Sequence, residues 1–181
     1  MSTTTRATIA DLYRAEGKAE LVHGEIVCMS PTGSRPGRAG GEIYSSLRQY
    51  ERQHGDGYAL PDNVGFVVHL PHRESFSPDV AWYVGPDTGM RFCDGAPIFA
   101  VEIRSEHDYG PAAERTMAAK RADYFACGTL VVWDVDLLSP EVIKVYKASD
   151  PVQPVVFRRG DMADAEPTVP GWRMAVDELL V

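Results

Sequence analysis

The chain has 181 residues, of which 44% are hydrophobic and 24% are charged, so its composition excludes wholesale disorder and is typical of a globular protein. Its formal net charge is -8, which argues against a protein that coats nucleic acid, because neutralising phosphates requires clustered Lys and Arg. An enzyme that meets nucleic acid on one local basic patch stays compatible with this charge. The length predicts a single domain, residues 1–181, with one sizeable core.

The sequence also bears on where the protein works. No apolar run approaches the ~20 residues of a membrane span, and residues 1–6 lack the apolar stretch of a secretory signal. The three cysteines, Cys28, Cys93 and Cys127, are odd in number and far apart, so we do not expect a disulfide framework. We therefore expect a cytoplasmic protein without membrane contact.

The first third of the chain predicts two helices and a strand pair. Residues 7–17 indicate a short helix with Thr8 as its N-cap, and residues 20–29 indicate two strands that turn at His23-Gly24. A loop over residues 30–37 precedes a helix over about residues 38–54. The inner face of that helix carries Ile43, Leu47 and Tyr50.

Three glutamates in this part are candidates for a functional site. Glu20 and Glu25 flank the predicted hairpin turn, and we interpret both as ordinary exposed acids at strand ends. Glu42 could face a neighbouring site from the long helix, although its position predicts a solvated surface residue.

The next strands are predicted over residues 58–60 and 64–70, on either side of a turn. His69 and His72 are three residues apart, a spacing that invites a metal interpretation. However, His72 lies in a proline-rich stretch and no third ligand is near in sequence, so we predict loop histidines rather than a zinc site.

Two acid-bearing strands dominate the middle of the chain. Residues 77–84 and 97–105 are apolar, bounded by Pro and Gly, and carry Asp79 and Glu102 respectively. A carboxylate in a buried strand is costly unless a cation or hydrogen-bond donors meet it. If the strands lie side by side, the two acids predict a site for a hard divalent metal; the alternative is two solvated strand ends. Residues 86–96 are predicted to form the connecting loop.

A third helix begins near Pro111 and stops before Gly128. At about 100° per residue, one stripe of this helix carries Ala113, Met117, Lys120, Tyr124 and Cys127. Lys120 therefore lies in the middle of the face that packs on the sheet. The alternative is that its stem covers the core while its ammonium reaches water.

The last third predicts mostly strands. Residues 129–136 form a nearly continuous apolar run, typical of a central strand covered on both faces. With the third helix, this strand and the strand of Glu102 make a parallel crossover. Residues 142–146 and 155–157 predict an antiparallel extension, and residues 176–180 a short final helix.

The ordered set Pro78-Asp79, Glu102 and Lys120 resembles the PD-(D/E)XK nuclease superfamily. More closely, the chain resembles the bacterial family of "putative restriction endonucleases" of the Uma type, and the resemblance covers nearly the whole chain. The matching stretches are residues 20–31, 77–80, 101–105, 120–133 and 169–172. The resemblance implies an α/β fold with a restriction-endonuclease-like core, a central mixed β-sheet flanked by helices, with added antiparallel strands.

The resemblance further implies a metal-dependent endonuclease that hydrolyses DNA phosphodiester bonds. Asp79, Glu102 and the main-chain carbonyl of Ile103 would hold Mg²⁺ or Mn²⁺, and Lys120 would assist the attacking water or the phosphate. Arg104 stands where the superfamily motif has its lysine, and Lys120 matches a lysine relocated to the helix. The chain departs from its relatives at Pro36, where they often carry His, and at Glu106-His107.

Two other functions stay open at this point. A catalytically silent protein that keeps the nuclease fold and binds a partner is favoured by the acidic balance of the chain. A metal hydrolase acting on a smaller phosphate ester would use the same acids. A homodimer would suit a nuclease that cuts both strands.

Overall fold

The computed structural model describes residues 6–180, which fold into three sheets and a few helices. The helices are α1 (Ile9–Leu12), α2 (Ser34–His54), α3 (Pro111–Ala126) and a final 3-10 helix (Val176–Leu180). The five-stranded sheet, in spatial order, contains β2 (Glu25–Cys28), β1 (Ala19–Val22), β5 (Arg73–Phe76), β4 (Phe66–Leu70) and β7 (Cys93–Asp94). None of the helices within residues 6–180 has the length and apolar character needed to cross a membrane.

The six-stranded sheet is mixed, as the sequence predicts. Its spatial order is β11 (Asp150–Phe157), β10 (Ile143–Lys147), β9 (Val131–Val135), β8 (Phe99–Ile103), β6 (Val80–Tyr83) and β3 (Tyr58–Leu60). β8 and β9 are parallel and joined through α3, whereas the other neighbours are antiparallel. A small third sheet pairs β12 (Met162–Asp164) with β13 (Arg173–Ala175).

Both faces of the six-stranded sheet are covered, which explains why every residue of β9 is buried. Alternate residues of β6, β8 and β9 face α2 and the C-terminal segment; these include Trp82, Val101 and Trp133. The residues between them face the five-stranded sheet and α3; these include Ala81, Ala100 and Val132. Glu102 and Asp134 are paired in the register of β8 and β9 and lie on this second face, the one that holds the candidate site.

Several element boundaries differ from the sequence-based predictions. The first helix is only Ile9–Leu12, although Thr8 caps it as predicted. α2 begins at Ser34, four residues early, because Pro36 falls in the first turn, where its missing N–H is not needed. His72 lies in the turn between β4 and β5, as predicted. His69 lies on β4, inside the strand predicted over residues 64–70, so the prediction of a loop histidine is wrong for it. Residues 73–76 form β5, a strand absent from the predictions.

Candidate active site

Asp79 lies at the point where β6 begins and extends the β6–β8 ladder with its side chain. Its backbone N–H donates to the Val101 carbonyl at 3.0 Å, and its Oδ2 accepts the Ile103 N–H at 2.7 Å. The β6–β8 ladder ends at Val80, so the carboxylate of Asp79 accepts this N–H of β8 in place of a backbone carbonyl. This contact holds the carboxylate beside β8.

Glu102 lies on β8 and points toward α3. Its two oxygens are 2.9 Å and 3.0 Å from Lys120 Nζ, and Oε1 accepts the Tyr124 hydroxyl at 2.6 Å. Tyr124 is fully buried and its ring stacks on Phe76 with the centroids 4.0 Å apart. The hydroxyl that meets Glu102 is therefore held in place by packing.

Lys120 turns inward from α3, and its side chain is only 17% exposed. Lys120 and Tyr124 are four residues apart and so lie on one face of the helix. The Lys120 ammonium bridges two carboxylates, those of Glu102 and Glu20, with Glu20 Oε1 at 2.9 Å. The structure therefore brings Lys120 and Glu102 into direct contact, whereas the lysine that contacts Asp79 is a different one.

Glu20 is part of this cluster, so the prediction of an exposed strand-end acid is wrong for it. Its side chain is 4% exposed, and it accepts the Ser77 N–H at 2.9 Å and Arg73 Nη1 at 2.6 Å. Glu20 and Leu21 point to opposite faces of β1 and both are buried, so neither face of the strand is open to water at this place. Glu25 and Glu42 are exposed, as predicted. The one sequence signal for Glu20 was its place inside an apolar strand, the signal that also marked Glu102.

Arg73 links the cluster to the surface and was missed by sequence reasoning. Its Nε donates to Asp123 Oδ2 at 2.8 Å, while Nη1 contacts Glu20. Asp123 Oδ1 is in turn 2.7 Å from Nε2 of the partly exposed His72. A chain of alternating charges thus runs from the β4–β5 turn to Lys120.

Lys18 is the second site residue that sequence reasoning missed. Its Nζ lies 2.7 Å from Asp79 Oδ1 and 2.7 Å from Asp62 Oδ1, and its side chain is 16% exposed. Burial lowers the pKa of Lys18, but the charges of Asp79, Asp62 and Glu102 outweigh it and raise the pKa above its usual value. The ammonium is therefore charged and sits at the edge of the acidic pair.

The acids of the cluster respond differently to burial. Burial raises the pKa of Glu102; Lys120 opposes this, but the charges of Asp79 and Glu20 add to it, and the net pKa is raised. Burial also raises the pKa of Glu20, yet Lys120 and Arg73 reverse the effect and the net pKa is lowered. Burial lowers the pKa of Lys120, but Glu102 and Glu20 raise it well above its ordinary value. The two carboxylates thus favour the charged form of Lys120, whereas the neighbouring acids disfavour the charged form of Glu102.

Arg104, which the sequence resemblance aligned with the motif lysine of PD-(D/E)XK nucleases, is bound to other partners. Its Nε and Nη2 make a two-point contact with Asp134, at 2.8 Å and 2.9 Å, and Nη1 also contacts Glu114. Asp134 accepts a further bond from Arg121 Nη1 at 3.2 Å. Such a planar fork on a buried carboxylate is typical of a structural ion pair.

The donor set can be compared with the needs of a divalent cation. Within residues 6–180, no three His, Cys, Asp or Glu side chains are grouped to hold a metal ion, and Glu20 is already occupied by Arg73, Lys120 and Ser77. Asp79 and Glu102 retain 22% and 21% side-chain exposure. The Ile103 carbonyl faces the same side as its N–H, toward Asp79. These are hard oxygen donors with part of their surface open to water, the type of ligand that Mg²⁺ or Mn²⁺ takes together with bound waters.

The hydroxyl of Ser77 adds an independent observation. Among the described residues it is the buried side-chain polar atom without a hydrogen-bond partner. Ser77 lies two residues before Asp79, and its N–H binds Glu20. Buried polar atoms are nearly always satisfied, so an orphan here fits a site that takes up water or ligand oxygen.

The fold is a mixed α/β fold with a cluster of buried charges on one face of its six-stranded sheet. The structure is similar to that of a protein from Anabaena variabilis ATCC 29413 described as a "putative nuclease belonging to DUF820", with a TM-score of 0.74 and 15% identity over 96% of this chain and 97% of that one. No curated protein sequence matches this chain. The chain belongs to the Uma2 family, described as "Putative restriction endonuclease", whose model matches residues 7–177. The family and fold class predicted from sequence are thus confirmed.

Proposed function

We propose that the protein is a metal-dependent endonuclease that hydrolyses DNA phosphodiester bonds, with Asp79, Glu102 and Lys120 as its active-site residues. The observation that carries the proposal is the buried Lys120 ammonium, bound by Glu102 and Glu20 beside the further charge of Asp79. Buried charges with shifted pKa values are costly for stability and are typical of functional sites. Membership of a family described as restriction endonucleases supports DNA as the substrate.

Asp79 and Glu102, with the Ile103 carbonyl, are the groups that would hold Mg²⁺ or Mn²⁺. A cation bound there supplies Lewis acidity, polarising a phosphoryl oxygen and lowering the pKa of a bound water. The protein itself holds the two carboxylate ligands in position through hydrogen bonds. The Ile103 N–H orients Asp79, and the Tyr124 hydroxyl orients Glu102. The unpartnered Ser77 hydroxyl is a candidate contact for the attacking water.

Lys120 acts in this proposal as a fixed positive charge rather than as a base. Its ammonium lies 2.9 Å from both Glu102 and Glu20, and these carboxylates raise its pKa and favour the protonated form, which suits a charge rather than a base. In hydrolysis the water oxygen bonds to phosphorus while one phosphorus–oxygen ester bond breaks, and negative charge grows on the phosphoryl oxygens. A preorganised ammonium stabilises that charge more than it stabilises the ground state.

The test is cleavage of supercoiled, linear and single-stranded DNA with Mg²⁺ or Mn²⁺. Glu102→Gln and Lys120→Met are expected to lower the rate by at least about 100-fold, on the scale of losing one electrostatic contact in an active site. Glu106→Gln, an exposed acid close to the same strand, is the matched control and keeps full activity. Cleavage that survives Glu102→Gln would contradict the assignment.

A second candidate function is binding without cleavage. The observation that favours it is that both acids already have a protein cation as partner, Lys18 on Asp79 and Lys120 on Glu102. This function would be supported by DNA binding that needs no divalent metal and is unchanged in Glu102→Gln. It would also require that none of the three DNA substrates is cleaved.

A further inference from the structure

Lys18 forms an ion pair with Asp79, one of the two acids to which a divalent cation would bind. Its ammonium lies 2.7 Å from Asp79 Oδ1, while Asp79 Oδ2 is held by the Ile103 N–H. Both oxygens of Asp79 are therefore engaged in the metal-free chain. An ammonium and a divalent cation on one carboxylate repel each other strongly, because the site is partly shielded from water.

The surroundings of Lys18 offer its ammonium an alternative partner. Asp62 lies in the turn between β3 and β4, is partly exposed, and contacts the same Nζ at 2.7 Å. A small rotation of the flexible lysine stem would keep the Asp62 contact and release Asp79. Lys120 has no such freedom, because it is bound between two carboxylates whose other contacts are buried.

We propose that Lys18 is a resident counter-ion of Asp79 that competes with the divalent cation and withdraws to Asp62 when the cation binds. Lys18 is then a positioning residue that sets the metal affinity of the site. Without the cation it neutralises Asp79, and with the cation bound it would keep its contact with Asp62. This inference rests on the proposed metal-dependent function.

The experiment measures Mn²⁺ affinity by isothermal titration calorimetry, independently of DNA cleavage. Lys18→Met is expected to tighten Mn²⁺ binding on the order of ten-fold, within the range of couplings measured between binding events in proteins. Lys18→Gln, which keeps a polar head group, is expected to do the same, and Lys18→Arg to retain weak binding. Lys144→Met removes the same charge from β10, where Lys144 pairs with Glu141 at 3.6 Å, and is expected to change nothing.

The Glu102→Gln variant distinguishes failure of the counter-ion proposal from failure of the proposed metal-dependent function. If the wild type binds Mn²⁺, Glu102→Gln abolishes binding, and both neutral Lys18 variants bind as the wild type does, the counter-ion proposal is overturned while the metal site stands. If neither the wild type nor the Lys18 variants bind Mn²⁺, the metal-dependent function is overturned together with it. Weaker binding in folded Lys18→Met and Lys18→Gln also overturns the proposal, because a competitor cannot be needed for affinity.

Discussion

Replacing Glu20 with Gln tests whether the buried charge chain holds the two sheets together. Glu20 stands in the five-stranded sheet, and its carboxylate meets Lys120 of α3, Arg73 of β5 and the Ser77 N–H. Gln has nearly the same shape but no charge, and its NH₂ group would face either Arg73 or Lys120, donor against donor. Arg73 and Lys120, both largely buried, would each lose one anionic partner.

The expected destabilisation is about 3 kcal/mol. Breaking a buried ion pair from one side costs roughly 3–5 kcal/mol, because the remaining charge stays buried without compensation. The lower end applies here, since Arg73 keeps Asp123 and Lys120 keeps Glu102. For a chain of this size the loss corresponds to a fall of about 6–12 °C in melting temperature.

Urea denaturation of Glu20→Gln at several pH values is the measurement, with Glu25→Gln as control. Glu25 is an exposed acid on the same hairpin, so its replacement is expected to change stability by less than about 0.5 kcal/mol. The folded-state pKa of Glu20 is below its usual value of 4.5, so its contribution is fully present above that value and is lost as the pH falls through the folded pKa. Equal stability of the two variants at pH 7 would refute the reasoning.

Three further changes have expected outcomes. Tyr124→Phe keeps the stack on Phe76 but removes the donor to Glu102, so it is expected to cost about 1.5–2 kcal/mol by urea denaturation; no loss would mean that water replaces the hydroxyl. Arg104→Lys cannot make the two-point contact with the buried Asp134 and is expected to lower unfolding stability by about 2–3 kcal/mol; an unchanged midpoint would contradict a structural role. Gly41→Ala lies in α2 with open space around its Cβ, so it is expected to raise stability by about 0.5–1 kcal/mol, checked by thermal melting; a decrease would indicate contacts that the structure lacks.

The part of the site that sequence reasoning anticipated depends on local patterns. Glu102 interrupts an apolar strand, and Lys120 interrupts the stripe of α3 that turned out to be its less exposed side. Both anomalies are visible within about ten residues, because a charge at a core position stands out against the period of its own element.

The part that was missed depends on contacts across long stretches of sequence. Glu20 meets Ser77, and Lys18 meets Asp79, only because the N-terminal hairpin docks on β5. The strand of Arg73 was not predicted, since two of its buried positions, Arg73 and Ser75, are polar. A buried polar residue whose partner is distant looks the same in sequence as a solvated one.

The position of Glu20 and Lys18 on a hairpin at the start of the chain has a consequence for biosynthesis. Their partners are Ser77 and Asp79 in the middle of the chain and Lys120 on α3. A nascent chain emerges N-terminus first, so Glu20 can meet Arg73 and Ser77 first, but its contact with Lys120 must wait until α3 has left the ribosome. The ionic centre therefore closes late, and incomplete chains that end between residues 102 and 120 carry Glu20 and Glu102 without the lysine that joins them.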